Sequence, residues 1–185
     1  YKVGKDVTLF KPGDEVCLGG SAYDDNCELI RSGMDPCFSP TFHIWGYEGN
    51  WGAFAEFAKV RENQCFHKPK HMNWLQAAAC GATGVTAYRM LTHWKPNALK
   101  KGDTVLVWGG AGGVGSMSIK VANALGADVV AVVSDDEKGR FCLSIGAKGY
   151  INRTKYSHWG TVSELDERAY RKWLASAVKF RNEIY

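Results

Sequence analysis

The stretch Thr104-Val-Leu-Val-Trp-Gly-Gly-Ala-Gly-Gly-Val-Gly115 decides the fold of this chain. An apolar strand leads directly into a cluster of glycines, and a helical pattern follows at once. The spacing G-x-G-x-x-G is informative in this context, because glycines let the backbone turn tightly against a pyrophosphate and the following helix directs its N–H groups at the phosphate charge. A glycine-rich turn without a ligand is the alternative interpretation. The residues predicted to bind the phosphates are Gly110, Gly112, Gly113, Val114 and Gly115.

The composition is that of an ordinary globular protein, with 185 residues, 45% of them apolar and 23% charged. The net charge of +4 is scattered along the chain, so no basic patch indicates nucleic-acid binding. No apolar run approaches the roughly 18–20 residues of a membrane-spanning helix, and no stretch resembles a signal peptide. None of the six cysteines forms a C-x-x-C pair, which favours reduced thiols in the cytoplasm and no structural zinc. We expect no bound metal.

The pattern after the glycines predicts two further strands joined by helices. A helix beginning near Gly113 should pack through Val114, Met117, Val121 and Leu125, and Gly126 should end it. Asp128–Val133 is a continuous apolar run, as in a parallel strand buried on both faces, and 149–151 forms a third strand. Two βα units in series imply parallel strands, so the fold class is α/β with a Rossmann-type sheet. A complete dinucleotide-binding fold has about six strands, so we expect only its first half here.

The part before residue 80 predicts a β-domain. A turn at 11–14 feeds a strand at 15–18, and 19–42 lacks periodicity, which indicates a long loop. Residues 53–60 and 64–67 have the pattern of strands. A helix should begin at Asn73, with Gln76 completing a capping box. At the other end, residues 163–185 predict an amphipathic helix capped by Ser163 and Asp166, whose apolar face contains Tyr170, Trp173, Leu174, Ala177, Phe180 and Ile184. We expect this helix to pack on its own sheet or on a neighbouring subunit, with a CoA-phosphate site on its basic face as the alternative.

The second strand carries information about the dinucleotide. NAD-selective sites place Asp or Glu about 20 residues after the fingerprint, where it binds the ribose 2′-hydroxyl. Here Val133 stands at the strand tip and Ser134 follows it. Asp135 and Asp136 come next, and we interpret both as caps of the following helix. The sequence therefore favours NADPH, with a 2′-phosphate bound by Ser134, Lys138, Arg140 and Arg153.

Several motifs together resemble the medium-chain dehydrogenase/reductase superfamily, in its quinone-reductase-like branch. They are Gly-Asp-Glu-Val16, Thr83-Gly-Val-Thr-Ala-Tyr88 and Gly-Gly-Ala-Gly-Gly-Val-Gly115. Within that superfamily, further segments resemble crotonyl-CoA carboxylase/reductase: Ile44-Trp-Gly-Tyr-Glu-Gly-Asn-Trp-Gly52, Ala87-Tyr-Arg-Met-Leu91, Val107-Trp-Gly-Gly-Ala-Gly-Gly113, Gly149-Tyr-Ile-Asn-Arg153 and His158-Trp-Gly160. The resemblance covers nearly the whole chain and implies part of a longer enzyme. It assigns 1–80 to a GroES-like domain, 81–160 to an NADPH-binding Rossmann domain and 161–185 to a helical insert.

What the resemblance implies is NADPH-dependent reduction of an α,β-unsaturated acyl-CoA, followed by attack of the resulting enolate on CO₂ to give an alkylmalonyl-CoA. Tyr47 and Glu48 match the aromatic–glutamate pair of the family's CO₂ pocket, and the pocket's Asn and His have no counterpart in these residues. Thr83 and Thr86 match positions beside the nicotinamide. The resemblance also implies a homo-oligomer, tetrameric in the family. Three alternatives are a non-carboxylating enoyl-CoA or acrylyl-CoA reductase, a quinone or enone reductase, and a catalytically silent NADPH-binding protein.

Overall fold

The computed structural model describes residues 1–159 and 166–184, which form two compact units, 1–82 and 83–185. The first unit contains two small antiparallel sheets. Strand β1 (Val16–Leu18) pairs with β4 (Cys65–His67), and β2 (Ser21–Ala22) pairs with β3 (His43–Ile44). A short helix α1 (Glu28–Arg31) and a 3-10 turn lie between β2 and β3.

Two expectations for the first unit are wrong. Residues 53–60 form bends and no strand, and Phe54 is fully exposed while Phe57 is 66% exposed. An alternating pattern gives a strand only where a neighbouring strand pairs with it, and in the described part of the chain none pairs here. The stretch 19–42 is also not one irregular loop, because β2, α1 and the 3-10 turn divide it.

Helix α2 (Trp74–Thr92) begins as the sequence predicts. The Asn73 amide donates to Oε1 of Gln76 at 3.0 Å, and the Gln76 amide donates to Oδ1 of Asn73 at 2.9 Å. This reciprocal pair satisfies two N–H groups that the first turn leaves without helical partners. Within the described residues, no helix is long and apolar enough to cross a membrane.

The second unit is built on a parallel sheet with the order β5-β6-β7, which confirms the predicted fold class. The strands are β5 (Thr104–Trp108), β6 (Asp128–Val133) and β7 (Gly149–Asn152). Helices α3 (Gly113–Ala124) and α4 (Asp136–Ser144) connect them, and α5 (Glu167–Asn182) follows. The turn at Gly126 has φ +82°, as expected of a glycine that ends a helix.

The sheet is covered on both faces. Because side chains alternate along β6, Val129 and Ala131 pack with Ile119 of α3 and Cys142 of α4 in one core cluster. Val132 packs on the opposite face in a second cluster, formed with Ile151, Tyr156 and Phe180. The parallel strands are therefore apolar on both sides, as the continuous hydrophobic run predicts.

The predicted packing face of α3 is wrong. The buried residues are Gly115, Ile119 and Ala122, whereas Val114 and Leu125 are 39% and 37% exposed. A Cβ atom built on Gly115 would lie 2.9 Å from Cα of Gly110, so the glycine faces the turn at close range. This approach fixes the rotation of the helix and places the residues four and seven positions further on in the core.

Helix α5 is shorter than predicted and is capped by Asp166, whose Oδ1 accepts the Ala169 amide at 2.7 Å. Ser163, the other predicted cap residue, lies outside the described residues. Phe180 is buried and Trp173 is partly buried, in agreement with the predicted face, but Tyr170 and Leu174 are 44% and 41% exposed. The helix packs on its own sheet through Phe180.

We expect Gly139→Ala to destabilise the second unit. A Cβ at this buried position of α4 would lie 2.6 Å from Cγ of Tyr150 and closer still to two other atoms of that ring. Overpacking of this kind costs about 1–3 kcal/mol. Chemical denaturation of the variant measures the loss, and Gly149→Ala is the matched control because nothing lies within 4 Å of its added Cβ. Equal stability of the two variants would contradict the expected packing.

Candidate functional site

The glycine-rich turn after β5 is held tightly against β6. The amides of Gly109 and Gly110 donate to the carbonyl of Val132 at 2.9 and 3.3 Å, and the Gly112 amide donates to the Gly109 carbonyl at 2.8 Å. Gly109 has φ +64°, a conformation that side chains with a Cβ rarely adopt. A Cβ on Gly110 would lie 2.8 Å from Cβ of Ala131. The turn therefore accepts only glycine at these positions and presents bare backbone.

The first turn of α3 offers N–H groups to a ligand. Its N-cap is Gly112, which makes no side-chain cap bond, and the first helical hydrogen bond runs from the Ser116 amide to the Gly112 carbonyl at 2.8 Å. The amides of residues 113–115 consequently have no acceptor within the helix. Val114 offers its backbone amide at this position, and its side chain is 39% exposed. Such a terminus attracts phosphate through both its N–H groups and the helix dipole.

The two threonines predicted beside the nicotinamide lie on α2. A Cβ on Gly113 would be 3.0 Å from Cγ2 of Thr83, so Thr83 lies against the start of α3. Thr86 is exposed and lies almost one turn further along α2. The structure therefore brings Thr83 to the glycine-rich turn, while the role of Thr86 stays a prediction.

A cavity of about 320 Å³ opens where the three parallel strands end. Ligands of open α/β sheets bind at this carboxyl edge. The cavity brings the glycine-rich turn together with three of the four predicted 2′-phosphate residues. Its lining is Trp108, Gly109, Ala111, Gly112, Val132, Val133, Ser134, Lys138 and Arg153.

Arg140 is the predicted phosphate residue that does not line this cavity. It is exposed on α4, two residues after Lys138. Two residues correspond to about 200° around a helix, so the two side chains leave opposite sides of α4. Trp108, in contrast, lines the cavity although no role was predicted for it from the sequence. Its position at the last residue of β5, directly before the glycines, was the signal available.

Lys138 is held at the cavity by two neighbours. Its Nζ donates to Oγ of Ser134 at 2.8 Å and to Oδ2 of Asp135 at 2.7 Å. Oδ1 of Asp135 also accepts the Lys138 amide at 2.8 Å, so Asp135 is the N-cap of α4, as predicted. These contacts leave the third ammonium hydrogen of Lys138 for a ligand.

Local hydrogen-bond donors stabilise the ionised carboxylates of Asp135 and Asp136. The hydrogen bonds from Lys138 lower the pKa of Asp135 from 3.8 to about 2. The hydrogen bond from Asn152 lowers the pKa of Asp136, and the nearby Lys155 ammonium adds to this. A lowered folded-state pKa stabilises the fold above the unfolded pKa near 4, and for Asp135 this contribution is lost as the pH falls toward 2. Asp135 is therefore ionised at every pH at which a dinucleotide enzyme works.

The segment Trp45-Gly-Tyr-Glu48 forms a tight turn in the first unit. The Glu48 amide donates to the Ile44 carbonyl at 2.9 Å, and Oε2 of Glu48 accepts the Ile44 amide at 2.7 Å. Gly46 has φ +81°. A Cβ built on Gly52 would lie 3.1 Å from Cα of Gly46, so the two glycines approach closely. Tyr47 is 83% exposed and Glu48 is also exposed. A carboxylate offers about four lone-pair sites, so Glu48 closes the turn and retains acceptor capacity for a ligand or water.

The sequence predicts that the chain binds no metal ion. In residues 1–159 and 166–184, no three His, Cys, Asp or Glu side chains form a group that could hold a metal ion. The expectation of no bound metal stays a prediction.

Comparison with known proteins gives two family matches. The model for the alcohol dehydrogenase GroES-like domain matches residues 1–70, and the model for zinc-binding dehydrogenase matches residues 113–171. The crotonyl-CoA carboxylase/reductase of Cereibacter sphaeroides is 43% identical over 185 residues, which is 100% of this chain and 43% of that protein. The crotonyl-CoA reductase of Streptomyces avermitilis is 38% identical over 93% of this chain and 39% of its own length.

Solved structures agree with these matches. The crotonyl-CoA carboxylase/reductase AntE in complex with NADP has a TM-score of 0.86 and 44% identity, over 97% of this chain and 44% of that one. The 2-octenoyl-CoA carboxylase reductase CinF, in complex with NADP and 2-octenoyl-CoA, has a TM-score of 0.82 and 32% identity, over 98% of this chain and 40% of that one.

The fold, the glycine-rich turn and both family matches place the chain in the medium-chain dehydrogenase/reductase superfamily of oxidoreductases. Within that superfamily, the chain belongs to the crotonyl-CoA carboxylase/reductase family. It spans about 43% of the length of the Cereibacter relative. The resemblance found in the sequence is therefore confirmed, as is the predicted fold class of a Rossmann-type sheet preceded by a GroES-like domain, whereas the predicted domain bounds stay a prediction.

Proposed function

We propose that the protein containing this chain catalyses the NADPH-dependent reductive carboxylation of an α,β-unsaturated acyl-CoA to an alkylmalonyl-CoA. The observation that carries this proposal is the similarity to a crotonyl-CoA carboxylase/reductase over all 185 residues, including the dinucleotide cavity and the turn at Glu48. The solved relatives with NADP and with 2-octenoyl-CoA support the cofactor and the substrate class. A homo-oligomeric assembly and a cytoplasmic location stay predictions.

The described residues fit NADPH. The glycines of the turn at 109–115 leave backbone exposed where a Cβ would otherwise take up the space. The amides at the start of α3 can bind the pyrophosphate. Ser134, Lys138 and Arg153 line the same cavity, and the lysine and arginine supply two cations for a 2′-phosphate. The Ser134 hydroxyl donates to Oδ2 of Asp135 at 3.1 Å and must turn from it to donate to the phosphate. When bound, the nicotinamide supplies the hydride that reduces the β-carbon of the acyl-CoA.

In the proposed reaction, the turn at Tyr47 and Glu48 serves the carboxylation step. The reduced substrate is an enolate, whose α-carbon either attacks CO₂ or takes a proton. Glu48 is held by the Ile44 amide and can fix a water molecule that orients CO₂ and keeps mobile water away from the enolate. Tyr47, the residue before Glu48, supplies an exposed ring as the aromatic member of the pair.

The test is an assay of the intact protein with crotonyl-CoA and NADPH, with and without bicarbonate, followed by mass analysis of the acyl-CoA product. We expect NADPH oxidation and, with bicarbonate, a product heavier than butyryl-CoA by one CO₂. Oxidation of NADPH with only butyryl-CoA as product would contradict carboxylation.

Simple reduction of an enoyl-CoA is the second candidate function. It is favoured by the Streptomyces avermitilis relative, which is named a crotonyl-CoA reductase and is 38% identical to this chain. Both reactions share the hydride step, so the cofactor cavity does not distinguish them. The two reactions differ only in whether the enolate takes CO₂ or a proton, and mass analysis of the acyl-CoA product shows which of the two occurs.

We expect Glu48→Gln to reduce carboxylation selectively. Glutamine keeps an oxygen that can accept the Ile44 amide, so the turn stays closed while the negative charge is lost. Losing about 1.4 kcal/mol at the ordered water lowers the ratio of carboxylated to reduced product about 10-fold. The product ratio under saturating bicarbonate measures this. Glu56→Gln, an exposed glutamate in the following segment, is the matched control; an unaltered ratio in Glu48→Gln would remove Glu48 from the mechanism.

A further inference from the structure

The segment that follows β7 and helix α5 supports the wall of the dinucleotide cavity. Trp108 lines the cavity from the tip of β5, and its ring meets that of Trp159 edge to face, with centroids 5.4 Å apart. Phe180 of α5 is buried and packs against both rings, at 5.7 and 5.3 Å. The helix thus does more than cover the sheet, because it backs an aromatic side chain that faces the cavity.

Trp159 also contacts a second residue that lines the cavity. Its Nε1 donates to the carbonyl of Arg153 at 2.8 Å, and Arg153 lines the cavity. Trp159 is not itself among the lining residues. One side chain behind the cavity therefore connects the aromatic residue at the end of β5 with the cation that follows β7.

The position of Trp159 is itself fixed by α5. The Ser157 amide donates to Oγ of Ser176 at 3.0 Å, and Nε1 of Trp173 donates to the His158 carbonyl at 2.8 Å. The ring of His158 also lies 4.1 Å from that of Trp159. The backbone leading to Trp159 is therefore tied to the helix, and the indole itself is held by its ring contacts with Trp108, His158 and Phe180 and by its bond to the Arg153 carbonyl.

We propose that Trp159 is a positioning residue for NADPH. Through its ring it holds Trp108 as a flat wall on which the adenine can stack, and through Arg153 it places a guanidinium for the 2′-phosphate. Base–aromatic stacking and a charge-assisted bond to phosphate are both established sources of nucleotide affinity. This inference rests on the proposed use of NADPH, and it assigns a role to a residue that touches no reacting atom.

The test compares NADPH and NADH binding to the intact protein by isothermal titration calorimetry. Trp159→Phe keeps a flat ring beside Trp108 but removes the donor to the Arg153 carbonyl. We expect the Kd for NADPH to rise about 3- to 10-fold, as one lost hydrogen bond allows. NADH lacks the 2′-phosphate, so its Kd should change less than about 2-fold. Trp159→Ala should weaken both cofactors, because the support of Trp108 is also lost.

Trp45→Phe is the matched control. It removes the same kind of bond, from an indole to a backbone carbonyl, here that of Lys59, and Trp45 is not among the residues that line the dinucleotide cavity. We expect its Kd values for both cofactors to equal those of the wild type. Equal losses for both cofactors in Trp159→Phe, or the same NADPH loss in Trp45→Phe, would overturn the positioning role. A wild-type protein without preference for NADPH would instead overturn the proposed cofactor, and the role of Arg153 with it.

Discussion

Alanine at position 115 is expected to abolish NADPH binding and to lower the free energy of unfolding by about 3 kcal/mol or more. An added Cβ would lie 2.9 Å from the carbonyl carbon of Gly109 and closer still to its oxygen, with Cα of Gly110 also at 2.9 Å. These are backbone atoms, which the bonds to Val132 hold in place, so no side-chain rotation relieves the overlap. The helix and the turn would have to separate, and the phosphate cradle would be lost with them.

Two measurements separate these effects. Denaturation gives the stability loss, and calorimetric titration with NADPH below the unfolding transition should show Kd raised more than about 100-fold, equivalent to ~2.7 kcal/mol. Gly149→Ala is the control, because its Cβ meets nothing within 4 Å in the same unit. Wild-type NADPH affinity in Gly115→Ala would show that the close approach of helix and turn is not needed for binding.

The second unit could be predicted well from sequence because its elements are marked by local signals. The bounds of β6 and the cap at Asp135 follow from a continuous apolar run that ends in polar residues. The rotation of α3 could not be predicted from its hydrophobic pattern. Gly115 contributes no hydrophobicity to such a pattern, yet its contact with the turn decides which face is buried. The strand expected at 53–60 failed for a related reason, since strand pairing is not a local property.

The candidate site was predictable where function follows position in the chain. Ser134 and Lys138 follow the second strand closely, and both line the cavity. Arg140 also carries a positive charge, but its position on α4 directs its side chain away from the cavity. Trp159 could not be assigned a role from sequence, because its importance comes from contacts with Trp108 and Phe180, which are distant in the chain.

We expect Lys138→Met to weaken NADPH binding about 10- to 100-fold while changing NADH binding less than about 3-fold. The methionine keeps the length and apolar stem of the side chain but removes the ammonium that Ser134 and Asp135 hold at the cavity. The Asp135 carboxylate would then stand near the 2′-phosphate without its cation. Since Lys138 and Asp135 are both about half exposed, solvent moderates this repulsion and the loss stays within that range.

Arg140→Met is the matched control for this charge removal, because it lowers the net charge by the same amount on the same helix. If only the groups that line the cavity bind the 2′-phosphate, Arg140→Met should bind NADPH within about 2-fold of the wild type, with a small loss from long-range screened attraction alone. Calorimetric titration of both variants with NADPH and NADH gives the four constants needed. Equal NADPH losses in the two variants would mean that the phosphate senses the general positive charge of α4, and that the cavity lining does not select NADPH.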